Sequence, residues 1–149
     1  MGSSFGGLVS LVAASQDPNI KALVLRSPVT EPIKFWKHRL GEERIAKWKQ
    51  EGIMHYDERG ENYELNYSFW EDLITYNIFE MAKNITCPVL IVHGGNDSVV
   101  PIQQSHDFAR LVNTKVMVIK DANHDYASPL QYAEMKNLIM TFLKEQLSF

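Results

Sequence analysis

The chain has 149 residues, of which 45% are apolar, and a formal net charge of −3 at pH 7. This length supports one domain, residues 1–149, with a buried core. The acidic balance and the lack of any Lys/Arg cluster argue against a nucleic-acid partner. No apolar run approaches the roughly 18 residues of a membrane span. The single cysteine, Cys87, excludes an intrachain disulfide, which fits a cytoplasmic protein.

The first motif of the chain is a serine between glycines, Gly2-Ser3-Ser4-Phe5-Gly6, followed by an apolar run from Leu8 to Ala14. The run is apolar nearly all round and stops at Asp17, which is typical of a buried helix. The first turn of that helix would point its backbone N–H groups toward Ser4, with the Phe5 N–H as a donor for a developing oxyanion. The plainer interpretation is a flexible tail, because glycine and serine are common.

Three apolar runs predict strands. The segments 20–25 and 87–93 end at turn residues, as buried strands do. The segment 115–119 alternates more, which predicts a strand nearer a sheet edge. Helices are predicted from Pro101 to about Val112 and from Ser128 to about Leu147. Strands joined through helices require crossover connections, so we predict an α/β fold with three parallel strands flanked by helices.

A long amphipathic section separates the first two of these strands. We predict two or three helices within residues 33–83, the clearest of which carries Trp70, Leu73 and Ile74 on one face. Residues 55–66 form the most loop-like stretch. The three tryptophans of the section either line a substrate pocket or form ordinary core.

Polar residues follow the predicted strand ends, where functional residues of open α/β sheets collect. Asp97 lies four residues beyond the second strand, and His124 lies five beyond the third. Serine is a weak nucleophile that needs a histidine to accept its proton, and a carboxylate orients that histidine. Ser4, Asp97 and His124 therefore form a candidate triad. The plainer alternatives are a turn aspartate and a surface histidine paired with Asp125.

These motifs resemble those of α/β-hydrolase esterases and lipases. Residues 2–6 are similar to the nucleophile elbow, residues 84–105 to the region that bears the acid, and residues 121–126 to the histidine loop. The resemblance covers essentially the whole chain, and residues 28–83 are then similar to the helical cap insertion of the family. It implies the C-terminal part of the fold, beginning at the elbow.

The resemblance implies a serine esterase that transfers an acyl group to water through an acyl-enzyme on Ser4, with no metal or cofactor. The expected substrates are small acyl esters, and peptides or amides are the alternative on the same fold. A further alternative is a truncated, non-catalytic fragment that lacks the earlier strands and the second oxyanion donor. The strand at 20–25 would then present an open apolar edge, which favours a homodimer or strand exchange.

Overall fold

The computed structural model describes residues 1–58 and 60–147, which divide into two compact units. One unit is Met1–Thr30 with the chain from Ile78 onward, and the other is Glu31–Asn77. In chain order the elements are β1 (Gly2–Ser3), α1 (Phe5–Gln16), β2 (Leu23–Arg26), α2 (Pro32–Leu40), α3 (Glu42–Glu51), β3 (Ile53–Glu58), β4 (Glu61–Asn66), α4 (Ser68–Leu73), α5 (Ile78–Ala82), β5 (Val89–Gly94), α6 (Ile102–Leu111), β6 (Val116–Ile119) and α7 (Pro129–Leu147).

The first unit contains a parallel sheet with the strand order β1-β2-β5-β6. The predicted α/β class is confirmed, and β6 lies at a sheet edge as its alternating pattern predicted. The structure adds β1 to the three predicted strands. Its two residues are too few to show a period of their own. They pair with Leu25 and Arg26, so the carboxyl end of β2 is covered. Association of two copies through the remaining edge stays a prediction.

Buried polar residues form part of the inner face of α6, which a pattern of apolar residues alone does not predict. Leu111 is exposed, whereas Gln104 and Ser105 are buried beside Phe108. Gln104 accepts a hydrogen bond from the Thr30 backbone N–H at 3.0 Å and, through its own carbonyl, one from the Thr30 hydroxyl at 3.0 Å. Polar side chains are buried at low cost when they are bonded in this way, which a hydrophobicity pattern does not reveal.

The second unit contains an antiparallel hairpin where the sequence predicted a loop within a helical insertion. Strands β3 and β4 pair from Ile53 with Asn66 to Glu58 with Glu61. Met54 is buried and Tyr56 half-buried, while their neighbours in β3 are exposed, so the period of a strand is present. The many polar residues of the exposed face obscured that period, and the loop prediction for 55–66 was wrong.

The three tryptophans form the core of the second unit. Trp36, Trp48 and Trp70 are all buried, and the Trp48 indole N–H donates to the Leu65 carbonyl at 2.8 Å. The Trp48 ring also contacts that of Trp70, with centroids 6.4 Å apart. The helix predicted through Ile74 ends at Leu73, which leaves Ile74 exposed.

The two glycines that flank Ser3-Ser4-Phe5 differ in their surroundings, which gives a stability prediction. A methyl group on Gly2 would overlap the Gly6 carbonyl and the Ser10 hydroxyl, whereas one on Gly6 would meet no atom within 4 Å. We expect Gly2→Ala to lower the free energy of unfolding by about 1–3 kcal/mol through overpacking. The matched control Gly6→Ala should leave it unchanged or raise it by up to about 1 kcal/mol, because Gly6 lies in helix α1. Equal urea midpoints for the two variants would contradict this expectation.

Candidate active site

The candidate residues follow three strands whose carboxyl ends lie at one edge of the sheet. Ser4 comes directly after β1, Asp97 lies in the loop after β5, and His124 lies in the loop after β6. The parallel register places one residue of each strand in a single row across this edge: Ser3, Arg26, Val92 and Met117. Since neighbouring strands are about 4.8 Å apart, the topology brings the three loops to the same edge.

Ser4 occupies a strained turn between β1 and α1. Its backbone angles are φ 54° and ψ −124°, a conformation that residues with a side chain rarely adopt. The turn is held on both sides, because the Ser4 N–H donates to the Arg26 carbonyl at 3.0 Å and the Ser4 carbonyl accepts from the Val29 N–H at 3.0 Å. Phe5 is the first residue of α1, so its N–H lies at the helix N-terminus. This is the strand-turn-helix context that a nucleophile elbow requires.

Asp97 and His124 form a buried hydrogen bond. The Nδ1 atom of His124 lies 2.7 Å from Oδ2 of Asp97, and the exposed fractions of the two side chains are 10% and 0%. A carboxylate only accepts hydrogen bonds, so Nδ1 carries the proton. In the neutral ring the opposite nitrogen, Nε2, is then the proton acceptor. This is the tautomer that a general base needs.

The Asp97 carboxylate is fully occupied on both oxygens. Its Oδ1 atom accepts from the backbone N–H groups of Val99 and Val100, each at 2.9 Å. Its Oδ2 atom receives His124 and lies 3.3 Å from Nε2 of His93. Burial by itself raises the pKa of this carboxyl. The hydrogen bonds from the two histidines and the two backbone groups outweigh burial and hold the pKa of Asp97 well below its usual range.

Backbone contacts connect the loop after β5, which bears Asp97, to the end of β6 and the loop after it, which bears His124. The Asn96 N–H donates to the Ala122 carbonyl at 2.9 Å, and the Gly95 N–H donates to the Ile119 carbonyl at 2.8 Å. A methyl group on Gly94 would lie 2.5 Å from the Ala122 oxygen, so only glycine permits this approach. The spacing of Asp97 and His124 is therefore fixed by the main chain.

A second group of side chains at this edge was missed by sequence reasoning. The Arg26 Nε–H donates to the Ser3 hydroxyl at 2.8 Å, and the Arg26 guanidinium lies 5.4 Å from the centroid of the Tyr126 ring. The Tyr126 hydroxyl lies 3.4 Å from the Ser27 hydroxyl. Burial raises the pKa of Tyr126, although Ser27 and Arg26 oppose this. A charged residue ending an apolar run was the available sequence signal, and it did not indicate these partners.

Comparison with known proteins identifies the family. The sequence profile described as the prolyl oligopeptidase family matches residues 1–149. The chain belongs to the prolyl oligopeptidase family. The resemblance to α/β hydrolases that the three motifs predicted is thereby confirmed, and the family is one of hydrolases.

Curated relatives of this prolyl oligopeptidase family member include a thioesterase and an acetyl esterase. It is 30% identical over 132 residues to the mitochondrial palmitoyl-protein thioesterase ABHD10 of Rattus norvegicus, covering 85% of this chain and 44% of that protein. It is 29% identical over 141 residues to the acetyl esterase Axe7A of Xylanibacter ruminicola, covering 90% of this chain and 28% of that protein. The chain thus spans less than half the length of either relative.

A solved structure of similar fold is Est1E from Butyrivibrio proteoclasticus. Its TM-score is 0.75 at 30% identity, and the match covers 99% of this chain and 60% of that chain. The structure of Est1E with bound ferulic acid gives a TM-score of 0.78 at 28% identity. The predicted α/β-hydrolase fold is confirmed by this likeness.

The described part of the chain contains neither a metal-binding cluster nor a membrane-spanning helix. Among residues 1–58 and 60–147, no three His, Cys, Asp or Glu side chains are grouped so that they could hold a metal ion. In the same ranges, no helix combines the length and apolar character needed to cross a membrane. The cytoplasmic location stays a prediction.

Proposed function

We propose that this chain bears the nucleophile, base and acid of a serine hydrolase that cleaves small carboxylic esters. The observation that carries the proposal is the buried hydrogen bond between Asp97 and His124, at the sheet edge where Ser4 occupies a strained turn. Such a turn exposes a serine for attack, and such a pair supplies the tautomer that accepts its proton.

In the proposed mechanism, Nε2 of His124 removes the proton of the Ser4 hydroxyl as Oγ attacks the ester carbonyl carbon. The carbonyl oxygen becomes an oxyanion, which the Phe5 N–H at the start of α1 stabilises. Collapse of this intermediate expels the alcohol, which takes the proton from His124 and leaves an acyl group on Ser4. Water, deprotonated by His124, then releases the acid and restores the serine. Asp97 stays ionised throughout and stabilises the imidazolium.

The names of the relatives support the proposed substrate class. The similar proteins are named as an acetyl esterase, a palmitoyl-protein thioesterase and an esterase seen with ferulic acid. We assign Glu31–Asn77 as the cap insertion that the sequence predicted at 28–83. Its exposed charged residues favour soluble esters over bulk lipid. Examples are Lys34, Lys37, Arg39, Glu42, Glu43 and Arg44.

Amide cleavage is the second candidate, because the family takes its name from an oligopeptidase. We expect p-nitrophenyl esters of short acids to be cleaved with a higher kcat/KM than the corresponding aminoacyl p-nitroanilides. The physical reason is that an alcohol or phenol leaves more readily than an amine. An amine must first take a proton from the protonated histidine. Steady-state kinetics on both series, with Ser4→Ala as the blank, tests this. Faster cleavage of the amides would overturn the choice of esters, and cleavage of neither would favour a non-catalytic fragment.

A further inference from the structure

We propose that His93 on β5 is a positioning residue for Asp97, held in one tautomer by the Ser105 hydroxyl on α6. The inference rests on the proposed function of Asp97 as the acid that orients His124. From the sequence alone, His93 is an ordinary residue of a buried strand. The contacts of its two ring nitrogens give it a more specific role.

The Nε2 atom of His93 carries a proton. The side chain is completely buried, with Nε2 3.0 Å from the Val100 carbonyl oxygen and 3.3 Å from Oδ2 of Asp97. A carbonyl and a carboxylate both accept and never donate, so one N–H is shared between the two oxygens. The shared bond reaches Asp97 at the oxygen that also receives His124.

The Ser105 hydroxyl is the hydrogen-bond partner of the other ring nitrogen, Nδ1. Its Oγ atom lies 2.7 Å from Nδ1 of His93, and Ser105 is itself fully buried. Since Nε2 carries the proton of the neutral ring, Nδ1 accepts and the hydroxyl donates. Helix α6 is anchored one residue earlier, where Gln104 binds Thr30 through two hydrogen bonds. The helix therefore fixes Ser105, Ser105 fixes the ring of His93, and the ring fixes the carboxylate.

The negative charge on Oδ2 of Asp97 is stabilised by N–H groups of two imidazoles, those of His93 and His124. Among the described residues, the groups in polar contact with the His93 ring are the Ser105 hydroxyl on α6, the Val100 carbonyl and the carboxylate of Asp97 in the loop after β5. His124 faces the pair through Asp97. With the His93 donor removed, more negative charge remains on Oδ2, which strengthens its attraction for the imidazolium form of His124. The carboxylate is also less constrained, so Nε2 of His124 is less well aimed at Ser4.

The first experiment compares His93→Leu, which lacks a donor, with His93→Gln, whose amide restores one. We expect His93→Leu to lower kcat for a p-nitrophenyl ester by about 10- to 100-fold, the effect of misplacing a catalytic group by a fraction of an ångström to one ångström. The acid limb of its kcat/KM profile should move to higher pH. His93→Gln should recover most of both. A folded His93→Leu variant with the wild-type pH profile would overturn the proposal.

The second experiment reads the tautomer without any substrate. In the ¹⁵N-histidine-labelled wild type at neutral pH, two-bond and three-bond proton–nitrogen correlations should show His93 with its proton on Nε2. In Ser105→Ala the Nδ1 signal should shift, because the hydroxyl no longer donates to it. A wild-type His93 with its proton on Nδ1 would overturn the proposal whatever the activity. An inactive wild type that shows the Nε2–H form would contradict the proposed function and leave this geometry supported.

Discussion

The Ser4→Ala variant is expected to lose labelling by a fluorophosphonate probe and to hydrolyse p-nitrophenyl esters at least about 10⁴-fold more slowly than the wild type. The probe forms a covalent bond with an activated serine oxygen, and alanine has no such atom. Labelling is measured by in-gel fluorescence and by the mass increment on the tryptic peptide that contains residue 4. The loss should be in kcat, because the acyl-enzyme cannot form.

Two matched variants control this experiment. Ser15→Ala removes a hydroxyl at the far end of α1, the helix that begins after Ser4. Ser15 donates to the Val12 carbonyl at 2.7 Å, and this variant should label like the wild type. Ser3→Ala removes the adjacent hydroxyl, which accepts from Arg26, and should still be labelled. Labelling that survives in Ser4→Ala would exclude Ser4 as the nucleophile. A wild-type chain that is never labelled would contradict the proposed function for this chain.

The Asp97→Asn variant is expected to lower kcat by about 10⁴-fold while the protein remains folded. The asparagine carbonyl can still accept from Val99 and Val100, so the loop keeps its backbone bonds. The amide N–H₂ then faces Nδ1 of His124 and favours the tautomer in which Nε2 carries the proton. That tautomer cannot accept the proton of Ser4. The hydrogen bonds that keep the pKa of Asp97 well below its usual range ensure that the wild type has a full negative charge to lose.

The matched control is Asp107→Asn on α6, which removes a carboxylate that pairs with Arg110 and accepts from Gln103 at 2.9 Å. We expect wild-type kcat from it, because the residue belongs to a surface pair. Thermal unfolding followed by circular dichroism checks that both variants fold. A folded Asp97→Asn protein within 10-fold of wild-type kcat would show that Asp97 is not the acid.

The sequence predicted the buried strands and the positions of the candidate residues beyond strand ends, because both depend on local patterns. Continuous apolar runs identify β2 and β5 wherever they pair. Asp97 and His124 stood out because functional residues of open α/β sheets collect just past the ends of strands. The strand β1 was missed because two residues show no periodicity, and the hairpin of β3 and β4 because exposed polar residues outnumber the buried ones.

The contacts that support the acid could not be predicted, because they join side chains on different elements. His93 and Ser105 are 12 residues apart, and each alone resembles an ordinary member of a strand or a helix. Arg26 ends β2 and Tyr126 lies in the loop after β6. These two side chains approach each other although β5 lies between their strands in the sheet. A single sequence contains no record of such distances, so the network around the carboxylate was found only in the folded chain.

The main-chain bonds that join the Asp97 loop to β6 and the His124 loop determine which residues of these segments can be substituted. The bonds from Asn96 and Gly95 to the carbonyls of Ala122 and Ile119 use main-chain atoms that every residue except proline possesses. The side chains at exposed positions such as 96 and 98 can therefore be substituted without altering the distance between acid and base. Gly94, which has no room for a methyl group, is the position in this linkage that cannot change. The distance between the candidate acid and base is thus fixed by main-chain atoms, while the exposed side chains of the same segments can vary.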